Sequence, residues 1–275
     1  MKTVVLGLSL KNHCVRLCRE AVIFAKKRGV SITLVHAITE DFVTESKELL
    51  SNCEVANYVE RLKAFIGLYD VPVNEIVIRP GKPHEVLSEV ADEYDAEAII
   101  VGSGNKFILN GILGSTAEKI TQISSRDLFA LNHENKSTYE KIVCAFDFSK
   151  NSYGALKSAI NLTQGFNSEL TVIHVCNCQF DEDHMKRQID EVITEIANGK
   201  FLNYSIKIIS GDPTKQIIET VDKEKADLLA IGASEQDFLT HLISGRKVYK
   251  IINSLSCNKL IAPNRSLSED QKSSA

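Results

Sequence analysis

The sequence predicts an α/β protein made twice over, with two domains that each carry a five-stranded parallel sheet and helices between the strands. Three observations carry this reading. Apolar, strand-like runs alternate with helical patterns, the arrangement that buries a parallel sheet on both faces. The chain has 275 residues, long for one hydrophobic core and suited to two. The third observation is an internal repeat. Thr3 to His36 slides onto Lys141 to His174 without a gap, and Gly81 to Gly102 aligns with Gly211 to Gly232 with six identities in twenty-two positions.

Taken in order, the first copy has strands predicted at 3–8, 31–37, 73–79, 97–101 and 128–131. The helical pattern Val15-Leu-Cys-Arg-Glu-Ala-Val-Ile-Phe-Ala25 joins the first two. Gly81-x-Pro83 opens the third helix, because proline lacks only an N–H that would have had no intrahelical partner there. Polar residues His133 to Glu140 separate the copies. The second copy repeats the plan with Ser168-Glu-Leu-Thr-Val-Ile-His174, Gly211-x-Pro213 and a final strand at Leu260-Ile-Ala262. The predicted domains are 1–135 and 136–265, followed by a polar tail at 266–275. The apolar strands Leu128–Leu131 and Leu260–Ala262 suggest an edge at which the copies pair.

Composition removes several classes of function. Hydrophobic residues make up 44% and charged residues 25%, as in an average globular protein. Thirty-two basic against thirty-six acidic residues leave a formal charge of −4, so no overall basic field draws nucleic acid or an anionic membrane. The apolar runs fall far short of the roughly 20 residues that span a bilayer. Seven cysteines suit no secreted disulfide framework, and no signal-like start precedes the first strand, so a reducing cytoplasm is expected.

In open parallel sheets ligands bind beyond the carboxyl ends of the strands, near the point where strand order reverses. In the first copy the segment after the fourth strand carries Gly102, Gly104, Gly111 and Gly114, then Ser115 and Thr116. Such a loop, opening a helix, can offer backbone N–H groups and hydroxyls to phosphate. Here the chain resembles the universal stress protein family, whose ATP loop is glycine, two residues, glycine, nine residues, then glycine with serine or threonine. Gly104, nine residues and Gly114-Ser115 match its latter part, with one residue rather than two between Gly102 and Gly104. The second copy keeps the spacing as Gly232-Ala-Ser-Glu235, nine residues and Gly245-Arg246, with Glu235 and Arg246 replacing the second glycine and the hydroxyl residue.

At the end of strand one the relation reverses. Asp147 keeps the acid that, in ATP-binding relatives, contacts the nucleoside part, whereas the aligned residue of the first copy is Ser9. The resemblance also implies that a residue after strand two offers its backbone to adenine, at Ala37 and Val175. It therefore implies two Rossmann-like domains of the adenine nucleotide alpha hydrolase type, packed as an internal pseudodimer. ATP or another adenine nucleotide would act as a regulatory ligand, held mainly by the first copy. The alternative is an interaction scaffold with decayed nucleotide sites and an unidentified protein partner.

Other polar residues read as structural. His36 and His174 end equivalent strands, one per copy, and are expected to be hydrogen-bonded there rather than to hold metal. Cys14, Cys18, Cys176 and Cys178 lack paired CxxC spacing and are expected to be thiols. Asp181-Glu-Asp183 is expected to cap a helix. No Walker loop and no Gly-x-Ser-x-Gly elbow is present, and the Ser-Gly-Gly-x-Asp-Ser loop of ATP pyrophosphatases is missing, so at most slow ATP hydrolysis is expected.

Overall fold

In the computed structural model of the chain, residues 2–8, 14–38, 60, 63–64, 67, 73–102, 114–132, 139–176, 181–232 and 245–263 are described, with the backbone alone at 14–16 and 245–249. They fall into two compact units, one reaching Asn132 and the other beginning at Tyr139.

The first unit runs β1 (Thr3–Gly7), α1 (Cys14–Arg28), β2 (Ser31–Ile38), β3 (Val73–Pro80), α2 (Pro83–Glu93), β4 (Ala98–Gly102), α3 (Ser115–Ile123) and β5 (Asp127–Leu131). Its strands lie in the order β3-β2-β1-β4-β5 and their described pairings are parallel. Val4, Val5 and Leu6 of β1, Ile32 and Leu34 of β2, and Ile99 and Ile100 of β4 are buried at 1% exposure or less, so the centre of the sheet is the core. Phe24 of α1 meets Phe129 of β5 edge-on, with ring centroids 4.8 Å apart.

The second unit runs β6 (Lys141–Ala145), α4 (Lys150–Phe166), β7 (Glu169–Cys176), α5 (Glu182–Ala197), β8 (Asn203–Ser210), α6 (Pro213–Glu224), β9 (Leu228–Gly232), α7 (Gly245–Ser254) and β10 (Asn258–Ala262). Its order is β8-β7-β6-β9-β10, again with parallel pairings. In both units, therefore, the first strand of the copy sits between the second and the fourth. Strand order reverses there, the point beyond whose strand ends open parallel sheets bind ligands.

The repeat is visible in individual hydrogen bonds. Glu97 N–H donates to the Thr3 carbonyl and Asp227 N–H to the Lys141 carbonyl, both at 2.8 Å. Gly81 takes φ of +137° and Gly211 +134°, a region that side chains rarely enter, and in each case a proline follows at the helix start. Asp181 caps α5 as expected, accepting the His184 N–H at 3.0 Å. The two histidines also behave as expected. His36 donates from Nδ1 to the Leu8 carbonyl and His174 from Nδ1 to the Phe146 carbonyl, each at 2.8 Å. Cys144 and Cys257 are buried thiols, and burial pushes Cys257 up to about 11. Among the described residues no helix is long and apolar enough to cross a membrane, and no cluster of three or more His, Cys, Asp or Glu could hold a metal ion.

Candidate functional site

The second unit carries a cleft of 310 Å³ at the carboxyl ends of β6, β7 and β9. Small-ligand pockets run from roughly 300 to 1,000 Å³, so it has room for one small molecule. Ala145, Phe146 and Asp147 enter from the end of β6, Ile173 and Val175 from β7, and Ile231 and Gly232 from β9. Ser149, Asn151 and Ser152 come from the start of α4, Pro213 and Ile217 from α6, and Ile251 from α7. The lining combines apolar side chains with a carboxylate, an amide and two hydroxyls.

The polar part of the lining is built by a tight turn. Phe148 adopts φ of +61°, a left-handed conformation that costs a non-glycine residue about 1–2 kcal/mol. It is held there from both flanks. Asp147 Oδ1 accepts the Ser149 N–H at 2.9 Å, the Ser152 hydroxyl accepts the Asp147 N–H at 3.3 Å, and Ser149 caps α4 by accepting the Ser152 N–H at 3.3 Å. The Phe148 ring packs against Phe146, with centroids 4.8 Å apart, and against His174 at 5.4 Å. Strained backbone that its surroundings over-determine is common at binding sites. Here it turns the chain from β6 into α4 with the Asp147 side chain at the cleft.

Partial burial of the Asp147 carboxyl pushes its pKa up. The side-chain and backbone hydrogen bonds from Ser149, the Ser152 hydroxyl and the nearby His174 ring outweigh that and hold it below the ordinary carboxylate value. The group is an anion at neutral pH and an acceptor for ligand hydroxyls.

Val175 offers backbone rather than side-chain chemistry. The described β6–β7 pairing ends at Ala145 and Ile173, where the Phe146 N–H donates to the Ile173 carbonyl at 2.9 Å. Two residues later the backbone of Val175 faces the same side, past the end of β6. Ala37 is placed the same way in the first unit, two residues after Val35, whose carbonyl accepts the Leu8 N–H at 3.0 Å.

Of the other residues singled out in the sequence, Gly102 ends β4, and Gly114 is the N-cap of α3 with φ of −61°. Ser115 and Thr116 form the first turn of α3, where backbone N–H groups lack intrahelical partners. Ser9, Gly104 and Glu235 lie outside the described residues. Gly245 and Arg246 open α7. Sequence reasoning missed Asn151, Pro213, Ile217 and Ile251 as walls of the cleft. Their only sequence signal was position near the amino end of a helix after a strand or, for Ile251, in the last helix.

Two units with the same order of parallel strands, each reversing at its first strand, define a tandem Rossmann-like α/β protein of the adenine nucleotide alpha hydrolase type. The chain belongs to the universal stress protein family, which matches it twice, over residues 1–130 and 138–263. A universal stress protein of Methanocaldococcus jannaschii is 24% identical over 149 residues, covering 49% of this chain and 88% of that protein. The crystal structure of a universal stress protein from Archaeoglobus fulgidus superposes over 97% of both chains with a TM-score of 0.72 at 22% identity. A second structure, from Pseudomonas aeruginosa, covers 96% of this chain and 93% of its own with a TM-score of 0.66 at 15% identity.

Proposed function

We propose that this tandem universal stress protein binds an adenine nucleotide as a regulatory ligand, and that the second-unit cleft holds its nucleoside end. The observation that carries this reading is the meeting of Asp147 and the Val175 backbone in one 310 Å³ cleft at the switch point. Under this reading the base packs on the apolar side chains of Ile173, Pro213 and Ile217, which line the cleft together with Val175, whose backbone its edge would meet. The sugar then falls on the Asp147 side. The first unit is the other site under this reading, with Gly114, Ser115 and Thr116 directed to phosphate, and the two clefts differ in which end of the nucleotide they hold best. Regulation requires that the nucleotide favour one conformation over another.

Calorimetric titration of the intact protein with ATP tests this. At about 1 mM ATP even a site worth only ~4 kcal/mol is half filled. Binding is expected, and Gly114→Val, which puts a branched side chain at the N-cap of α3 at a φ open to any residue, should remove the first-unit component and leave the second-unit one. Absence of heat and of any co-purifying nucleotide would replace this reading with that of an interaction scaffold. Loss of all binding in a folded Gly114→Val variant would place the nucleotide in the first unit alone.

A further inference from the structure

The polar groups around the second-unit cleft are unequally served. Asp147, Ser149 and Ser152 hydrogen-bond one another through side chain and backbone, and the Ser152 hydroxyl also donates to the Ser149 carbonyl at 2.9 Å. Asn151 stands among them and lines the same cleft, yet its side-chain oxygen is buried without any hydrogen-bond partner. Buried acceptors in folded proteins nearly always find a donor, so each orphan asks for an explanation. The position of Asn151 is not accidental slack. Gly232 sits so close that a Cβ there would lie 2.4 Å from the Asn151 carbonyl carbon and 2.5 Å from its oxygen, so the end of β9 presses the first turn of α4 into place.

We propose that Asn151 is a specificity-determining residue of this cleft and that its side-chain oxygen accepts a hydrogen bond from a sugar hydroxyl of the bound nucleoside. The terminal torsion of asparagine is broad, so the carboxamide turns its oxygen into the cleft at little cost. An acceptor at this point repels a phosphate oxygen and welcomes an O–H. Asn151 lies four residues after Asp147 and lines the same cleft, so a sugar held at Asp147 falls within the same group of polar residues. The inference rests on the nucleotide reading and adds the residue that distinguishes a sugar bearing the hydroxyl from one without it.

The probes are adenosine, 2′-deoxyadenosine and 3′-deoxyadenosine, titrated calorimetrically into the full chain carrying Asn151, Asn151→Leu or Asn151→Asp, with thermal unfolding of each unliganded protein. Asn151→Leu should weaken adenosine roughly fivefold, the effect of one lost hydrogen bond, and should erase the preference for adenosine over one of the two deoxy analogues. Asn151→Asp retains an acceptor of the same shape and should retain that preference. Because the orphaned oxygen is removed, unliganded Asn151→Leu should melt no lower than the parent. Adenosine binding unchanged in Asn151→Leu, or weakened equally for all three nucleosides together with a lower melting temperature, would show a structural role and overturn the proposal. If neither adenosine nor ATP binds the parent protein, the nucleotide reading fails and this inference fails with it.

Discussion

Gly232→Ala should destabilise the second unit by about 1–3 kcal/mol, the usual cost of forcing a methyl into a packed interior, with a larger loss if the backbone cannot yield. The added Cβ would approach the Asn151 carbonyl carbon to 2.4 Å, its oxygen to 2.5 Å and the Ser152 nitrogen to 2.6 Å. All three are backbone atoms of the first turn of α4, so no side-chain rotation relieves the contact. The turn must move, and the Ser149 cap, the Asp147 carboxylate and Asn151 move with it. Gly154→Ala is the control, because its Cβ would meet only the Ala262 Cβ at 3.6 Å and would replace glycine inside a helix. That change should stabilise by roughly 0.5–1 kcal/mol. Urea midpoints of the two variants should therefore shift in opposite directions. A Gly232→Ala midpoint equal to that of the parent would mean that β9 and α4 are not in this contact.

Asp147→Ala should weaken adenine nucleotide binding at the second-unit cleft tenfold or more, since a hydrogen bond to a charged partner is worth about 1.5–3 kcal/mol. Alanine also removes the acceptor of the Ser149 N–H, which helps hold Phe148 at its positive φ. Asp147→Asn keeps that acceptor and isolates the charge, so it should lose affinity with less change in the turn. The pH dependence has a definite sign. A carboxyl whose folded pKa lies below its unfolded value contributes stability above the unfolded value of 3.8 and loses it as pH falls through the folded pKa. Asp147 therefore stays ionised from neutral pH down to about pH 4, and its share of ligand affinity should be flat across that range and fall only below it. Titrations at several pH values check this, and a midpoint near neutrality would contradict the hydrogen-bonded anion.

Local rules made most of the fold legible. The gapless offset that places Ser9 on Asp147 also places His36 on His174, and the two histidines make the same ring-to-carbonyl bond at the same 2.8 Å distance. Pro83 and Pro213 are read correctly as helix starts because a missing N–H is a property of a single residue. Hydrophobic periodicity and strand order point to the strand ends, and the family resemblance then names Asp147 and Val175 there.

The rest depends on distances between segments far apart in the chain. Gly232 and Asn151 are separated in the chain by β7, α5, β8 and α6, and no pattern in either segment announces that their backbones touch. Phe148 shows the same limit from the other side, since a bulky aromatic is a poor choice for a left-handed turn by propensity alone. Only the bonds from Asp147 and Ser152 and the packing of its ring against Phe146 and His174 account for its conformation. The apolar wall of Pro213, Ile217 and Ile251 is likewise fixed by how α6 and α7 pack across the strand ends.

The central claim is that an adenine nucleotide lies in the second-unit cleft between the end of β7 and the start of α6. Photolabelling the intact protein with an 8-azido adenine nucleotide, followed by peptide mapping, tests it most directly. The label should fall on peptides containing Ile173 to Val175 or Pro213 to Ile217, should be displaced by ATP, and should diminish in Asp147→Asn. Labelling confined to first-unit peptides, or labelling that excess ATP does not displace, would contradict it.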